Sequence, residues 1–290
     1  MKNYTLREIQ ECILSIIKDV DIFCRENEIE YYLMGGSALG AMRHQGFIPW
    51  DDDLDVFMTV ENYQKFLRLF EEKAKDDPRF SKYFLQKENT EQWPLFLSRV
   101  CLNGTTMVSD EFKNNMKQHH NVFVDIMCLY SAPENDRERW IQYAAAQMLR
   151  VNALALCGFT NKSLVKRLVL LCSRIVVNPV TRPLLLRYVH RYEKKDTRFM
   201  GHYFGRARFW KTSFPRSYLG KAARYVPFED TQLPVFENVE EYLRTRFGEK
   251  WREMPSEETK SMYPVHGNFV DLERDYTEYM NSSRTQWTYS

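Results

Sequence analysis

At 290 residues, with 44% hydrophobic and 14% aromatic residues, the chain is long enough to bury a full core and too apolar to be disordered. Its net charge of +2 gives no reason to expect a nucleic-acid partner. Charge is nevertheless uneven: residues 162–224 hold sixteen Lys or Arg against only Glu193 and Asp196, which leaves the rest of the chain acidic.

Met1 to Glu11 lacks the apolar run of a secretory signal. Ile9, Ile13, Ile16, Ile17, Val20 and Phe23 then keep helical spacing, predicting an amphipathic helix over about 5–27. Tyr31 to Met34 reads as a short strand ending at Gly35-Gly36, and Ser37 as the cap of a second helix through about Arg43. The small residues Ala38, Gly40 and Ala41 let that helix lie close to neighbouring backbone. A loop over 44–50 is punctuated by Gly46 and Pro49, and Leu54 to Met58 is the next strand. A helix over 61–75 follows, then strands at 83–86, 95–102 and 121–129; the last is apolar apart from Asp125. Beyond Pro133 long helices are expected over 134–157 and 163–192, joined by a turn at Gly158 and Asn161. Residues 198–236 read as irregular, aromatic and basic, 237–247 as a short helix ended by Gly248, and the chain closes on a helical turn after Pro255. The expected organisation is an α/β core over 1–132 and a helical and irregular part over 133–290, packed on the core.

No stretch reaches the ~18 apolar residues of a membrane span. The nearest, Leu164 to Val189, is broken by Lys166, Arg167, Arg174, Arg182, Arg187 and two prolines. The basic section 162–224 is either a solvated helical surface or a peripheral contact with something anionic, such as a membrane. The six cysteines stand singly without CxxC spacing and read as reduced core residues, so the expected location is the cytoplasm, with that section at the inner face of the membrane.

The richest segment runs from Gly35 to Met58, where Asp51, Asp52, Asp53 and Asp55 crowd into five positions. Like charges that close repel unless a cation sits among them, and a divalent metal is the usual remedy. In an extended chain alternate residues face one way, which groups Asp51, Asp53 and Asp55 and turns Asp52 toward solvent or a loop. A carboxylate inside the apolar strand at Asp125 is costly unless it faces a cleft or an ion, so it joins the candidate ligands. Asp53 and Asp55 are the expected metal ligands and catalytic groups, Asp125 a third ligand or base, and Asp51 a ligand of a second metal or an orienting group. Gly35, Gly36 and Ser37 would bring backbone amides and a helix N-terminus to a phosphate. Strand, Gly-Gly-Ser, helix, loop, DxD strand and a later aspartate strand make up the layout of the nucleotidyltransferase fold, a mixed α/β (α+β) sheet flanked by helices. In it Mg²⁺ or Mn²⁺ would neutralise charge during attack at phosphorus.

The run GGSALGAMRHQGFIPWDDDLDV resembles the signature of the LicD family, which includes bacterial phosphocholine transferases and animal fukutin-related proteins. The matching elements are Gly36-Ser37, Arg43, the stretch from Ile48 to Asp55, and Val124-Asp125-Ile126; Glu240 to Pro255 is similar to the family's closing element. The resemblance implies transfer of a phospho-alcohol, commonly phosphocholine, from a CDP-activated donor to a sugar hydroxyl of a cell-surface glycan such as lipopolysaccharide or teichoic acid, or of its lipid-linked precursor. Alternatives are a nucleotidyltransferase that leaves a nucleoside monophosphate on its acceptor, a DxD glycosyltransferase, and a non-catalytic cation-binding scaffold.

Other candidates are less determined. Arg43 would reach a phosphate or brace the aspartate loop; Arg99, among apolar neighbours, needs an anionic partner that is either a nucleotide phosphate or a carboxylate. Trp50 would stack on the base or cage a quaternary ammonium. His44, His119, His120 and His266 form no zinc pattern and read as loop or surface residues. The stretch from Phe199 to Tyr225 is the expected acceptor side.

Overall fold

The structure, a computed structural model, describes residues 3–159, 163–261, 263 and 265–280; the expected turn residue Asn161 and the basic Lys162 lie outside them. Helix α1 (Leu6–Glu26) opens on a capping box, Thr5 Oγ1 accepting from the Glu8 amide while Glu8 accepts from the Thr5 amide. After it come β1 (Tyr32–Leu33), α2 (Gly35–His44), β2 (Asp55–Thr59), α3 (Val60–Lys73), β3 (Tyr83–Gln86), β4 (Ser98–Leu102), β5 (Thr106–Val108) and β6 (Val122–Ala132). The second half contributes α4 (Asp136–Leu156), α5 (Leu164–Val176), α6 (Thr181–Val189), β7 (Phe199–Gly201), β8 (Ser213–Pro215), β9 (Arg224–Phe228), β10 (Thr231–Val235), α7 (Val239–Phe247), α8 (Glu257–Ser261), β11 (Phe269–Asp271) and α9 (Tyr276–Met280).

The main sheet is ordered β1-β2-β6-β4-β3; β2 and β6 run parallel and the other neighbours antiparallel. The long β6 continues past this sheet to pair with β7, which pairs with β8. It is a mixed α/β fold, as the alternation of strand and helix patterns implied. One face carries the row Val56–Ile126–Ser98 against α3, where the Tyr63 hydroxyl meets Ser98 Oγ at 2.7 Å. There α1 and α3 are locked by Phe23, whose ring lies edge-on to Phe66, Phe70 and Phe80 at 4.9–5.9 Å, each such pair contributing about 0.5–1.5 kcal/mol beyond its buried area. The opposite face is covered by the second half of the chain: Phe57 of β2 meets His202, Phe236 and Tyr242.

Three expectations are corrected. The helix expected over 163–192 breaks after Val176 at Asn178-Pro179, since a proline has no amide to continue the ladder, and the two parts lie at 98°. The section 198–236 is not irregular, for it holds two antiparallel pairs, β7–β8 and β9–β10. Of the cysteines, all unpaired, Cys24, Cys101, Cys128 and Cys157 are buried, whereas Cys172 is exposed on α5. The strands β5 and β11 and the helix α9 had no counterpart in the expectations from sequence; β5 and β11 pair and return the C-terminal part to the edge of the aspartate loop.

Candidate active site

The parallel pairing sets Asp55 of β2 directly beside Asp125 of β6, and the antiparallel pairing sets Arg99 of β4 beside Asp125 on its other side. Residues in one register row share a face, so two carboxylates and a guanidinium stand side by side, one inter-strand spacing of about 4.8 Å apart. This row, with Asp53, forms a wall of a cleft of about 330 Å³. Facing it are His202, Tyr242, His266 and four cations from the second half, Arg150, Arg206, Lys211 and Arg246.

Asp125 is held by Arg99, Nε to Oδ1 2.7 Å, and the Arg99 guanidinium lies over the rings of Phe123 (3.6 Å) and Trp93 (4.3 Å). The open choice for Arg99 thus falls to a carboxylate. Burial and the charges of Asp53 and Asp125 push the Asp55 carboxyl well above its ordinary value. Burial likewise raises Asp53, with Asp125 adding to the rise and His266 opposing it. Asp51 is raised by burial and by its hydrogen-bonded neighbour Asp53. Two of these, Asp53 and Asp55, stand on the cleft wall and form a site suited to positive charge, whereas Asp51 does not line the cleft.

Asp52 does not face solvent. It is buried, accepting from the amides of His266 (2.9 Å) and Gly267 (2.8 Å) and pairing with His266 Nδ1 at 3.0 Å. Burial alone would raise Asp52, but these bonds outweigh it and hold it below its ordinary value. His266 is correspondingly not a surface residue: burial opposes its charge, yet Asp52 and Asp53 raise it to about 9. Asp52 is a latch that ties the segment before β11 over the cleft.

Helix α2 begins two residues before the expected cap. Met34 precedes it without a side-chain cap, the Gly35 amide donates to the Tyr242 hydroxyl at 2.9 Å, and Ser37 Oγ accepts from the Asp55 amide at 2.8 Å. Ser37 therefore positions the carboxylate strand. At Gly36 a Cβ would stand 2.9 Å from Asp51 Oδ2, so glycine makes room for that carboxylate. Arg43 and Trp50 are not among the residues lining the cleft. Arg43 donates to the carbonyl groups of Trp251 and Glu253, and Trp50 lies edge-on to His44 and Tyr263 with Lys260 over its ring. His266, Tyr242, Arg150 and Arg246 were not read as site residues from sequence, although Tyr242 and Arg246 fall in the Glu240–Pro255 stretch singled out above; all four arrive from remote elements. Arg206 and Lys211 fall in the aromatic-basic stretch singled out above.

Among the described residues, no three His, Cys, Asp or Glu side chains form a ready-made metal cluster. The donors still suit a hard divalent cation: Mg²⁺ is commonly held by one or two carboxylates together with substrate phosphates and water. The repelling oxygens of Asp53 and Asp55 offer that donor chemistry in a cleft also lined by Arg150, Arg206, Lys211 and Arg246.

A mixed sheet with paired aspartates on adjacent parallel strands, headed by a glycine-led helix, defines a nucleotidyltransferase-type domain. Residues 28–155 match the family model of the LicD/FKTN/FKRP nucleotidyltransferase domain. The chain is 25% identical over 279 residues to the lipopolysaccharide cholinephosphotransferase LicD of Haemophilus influenzae, covering 93% of this chain and all of that protein. It is 37% identical over 76 residues to an uncharacterised protein of Rickettsia typhi, a quarter of each chain. Residues 28–155 thus carry a LicD-type nucleotidyltransferase domain, and the resemblance to a LicD protein extends over 93% of the chain.

Proposed function

We propose that this protein is a divalent-cation-dependent phosphotransferase that moves phosphocholine from CDP-choline onto a sugar hydroxyl of a cell-surface glycan, such as lipopolysaccharide, or of its lipid-linked precursor. The observation that carries the reading is the row Asp55–Asp125–Arg99 on the wall of a cleft whose opposite side is arginine-rich. The name of the full-length Haemophilus relative supports the choline and lipopolysaccharide parts.

Asp53, Asp55 and Asp125 would hold Mg²⁺ or Mn²⁺, which when bound supplies neutralising charge to the donor phosphates. Arg150 and Arg206 bind those phosphates from the opposite side; burial and the neighbouring Arg206 already disfavour the charged form of Arg150, so an anion between them relieves both. Arg99 holds Asp125 in place through their 2.7 Å ion pair. The sugar hydroxyl oxygen attacks the phosphorus attached to choline, and the bond from that phosphorus to the bridging oxygen breaks. CMP leaves with that oxygen. The hydroxyl proton passes to a carboxylate that lines the cleft, Asp125. His202 and Phe204, both buried where they line the cleft, keep water from that part of it.

The test is a panel of CDP-alcohols incubated with purified protein, Mg²⁺ or Mn²⁺ and lipopolysaccharide, with CMP release and transfer of labelled choline phosphate followed together. Cation-dependent CMP release matched by label on the glycan is expected. Cytidine retained on the acceptor would establish a nucleotidyltransferase instead. No turnover and no binding with any CDP donor would overturn the reading.

A further inference from the structure

Helix α5 is amphipathic in the reverse sense for a helix that meets water. Leu164, Leu168, Leu171 and Ile175 are 60–77% exposed, and Ser173 is its one buried residue. At ~100° per residue those four fall within about 60° of one another, and Val165, Val169 and Val176, also exposed, widen the stripe. The polar side is what holds the helix to the body of the protein: Asn152 of α4 donates to the Ser173 carbonyl, and Arg174 to that of Ala155. Val180 and Leu184 continue the exposed surface onto α6, and an apolar groove of about 550 Å³ separates α5 from α4. Soluble monomers rarely leave so large an apolar patch bare.

Charge decides what covers it. Residues 163–192 contain six Lys or Arg and no Asp or Glu. A second copy would bring two cationic rims together, whereas an anionic lipid surface attracts them. Neither helix reaches across a bilayer: α5 has 13 residues and α6 has 9, about 20 Å and 14 Å of length against a hydrocarbon core of about 30 Å.

We propose that α5 and α6, bent at 98°, form a docking element that lies in the interface of a bilayer containing anionic phospholipid. The apolar stripe enters the acyl boundary, and Lys166, Arg167 and Arg187 meet the headgroups. The docked face opens toward the carboxylate cleft: a second cleft of about 370 Å³ is lined by Val165, Lys166 and Val169 of α5 and by Arg150 and Arg206, which also line the first. Docking rests on the exposed face alone and stands whether or not the cleft performs the chemistry proposed above.

The experiment is flotation of the full chain with phosphatidylcholine vesicles with and without phosphatidylglycerol, at low and high salt, alongside light scattering without vesicles. Flotation only with phosphatidylglycerol vesicles, reversed by salt, is expected. Leu168→Glu with Ile175→Glu abolishes it, and Lys166→Glu with Arg167→Glu weakens it at least about 25-fold, roughly fivefold for each cation lost from the surface. Both variants alter exposed side chains, and an unchanged thermal melt confirms that they fold. Three results would overturn the proposal: no flotation with either vesicle, binding indifferent to these substitutions, or a vesicle-free dimer that Leu168→Glu with Ile175→Glu dissociates. Resistance to alkaline carbonate extraction, the mark of a spanning segment, would overturn it as well.

Discussion

Asp55 carries a cost that only a partner cation removes. Burial and the charges of Asp53 and Asp125 disfavour its ionised form, so in the metal-free chain the ionised carboxylate subtracts from stability. Asp55→Asn removes that repulsion while keeping shape and hydrogen bonding. Transferase activity should fall by about 10²–10³ or more, while the melting temperature in chelator should rise by about 2–4 °C for each kcal/mol of repulsion relieved. A variant that loses activity and stability together would place Asp55 in the scaffold. Arg99 is the converse case. Its pair with Asp125 is about nine-tenths buried on both sides, and removing one partner strands the other charge. Arg99→Met should cost about 3–5 kcal/mol in denaturant unfolding, and Arg99→Met with Asp125→Asn should recover most of it. An additive double variant would mean that the two side chains act separately.

At the scale of elements, α2 and the loop after it set the aspartates in place, and Gly40 is where they touch. A Cβ there would stand 2.4 Å from the Gly46 carbonyl oxygen and 3.2 Å from the Ile48 nitrogen, backbone atoms that cannot swing aside. Gly40→Ala should destabilise the protein by about 1–3 kcal/mol and, by moving the loop that leads into Asp51, lower transferase activity more than the melt alone explains. An unchanged melt and rate would show that the loop yields. This close approach was legible in the small residues of α2; α1 and α3 were legible in their periodicity, and β6 in an apolar run broken by one carboxylate. Asp52 was misread because alternation was applied too early: β2 begins only at Asp55, and residues ahead of it obey the loop, not the pleat. The latch on Asp52 was illegible for a different reason. It depends on three-residue strands separated by more than 150 positions, β5 and β11, and three residues carry no period. The basic section, legible as a charge excess, divides in space: Arg206 and Lys211 face the cleft, while Lys166 and Arg167 edge the exposed helix.

For the molecule as a whole, the groups around the cleft couple stability to pH and to divalent cations together. Burial raises Asp51, Asp53 and Asp55, with the charges of their carboxylate neighbours adding to it. A carboxyl raised in the folded state binds its proton more tightly there than in the unfolded chain, so the stability it contributes is full below its ordinary value of 3.8 and is lost as pH rises through the folded value. His266 has the same sign: burial opposes the shift, but Asp52 and Asp53 raise it to about 9, so its contribution is full below 6.5 and is lost as pH climbs through about 9. Asp52 has the opposite sign. Burial is outweighed by its bonds to His266 and Gly267, so its contribution is present above 3.8 and fails as pH falls through its lowered value. The metal-free protein should therefore be most stable in mildly acidic solution and weaken toward alkaline pH. A divalent cation that binds the ionised carboxylates of the folded chain alone adds about 2.7 kcal/mol at a hundred times its dissociation constant, and protons compete with it. The thermal shift from Mg²⁺ or Mn²⁺ over chelator should accordingly grow steadily from acidic to alkaline pH, and Asp55→Asn should flatten that growth. A cation shift that is absent, or equal at every pH, would exclude the carboxylate wall as the place where the cation binds.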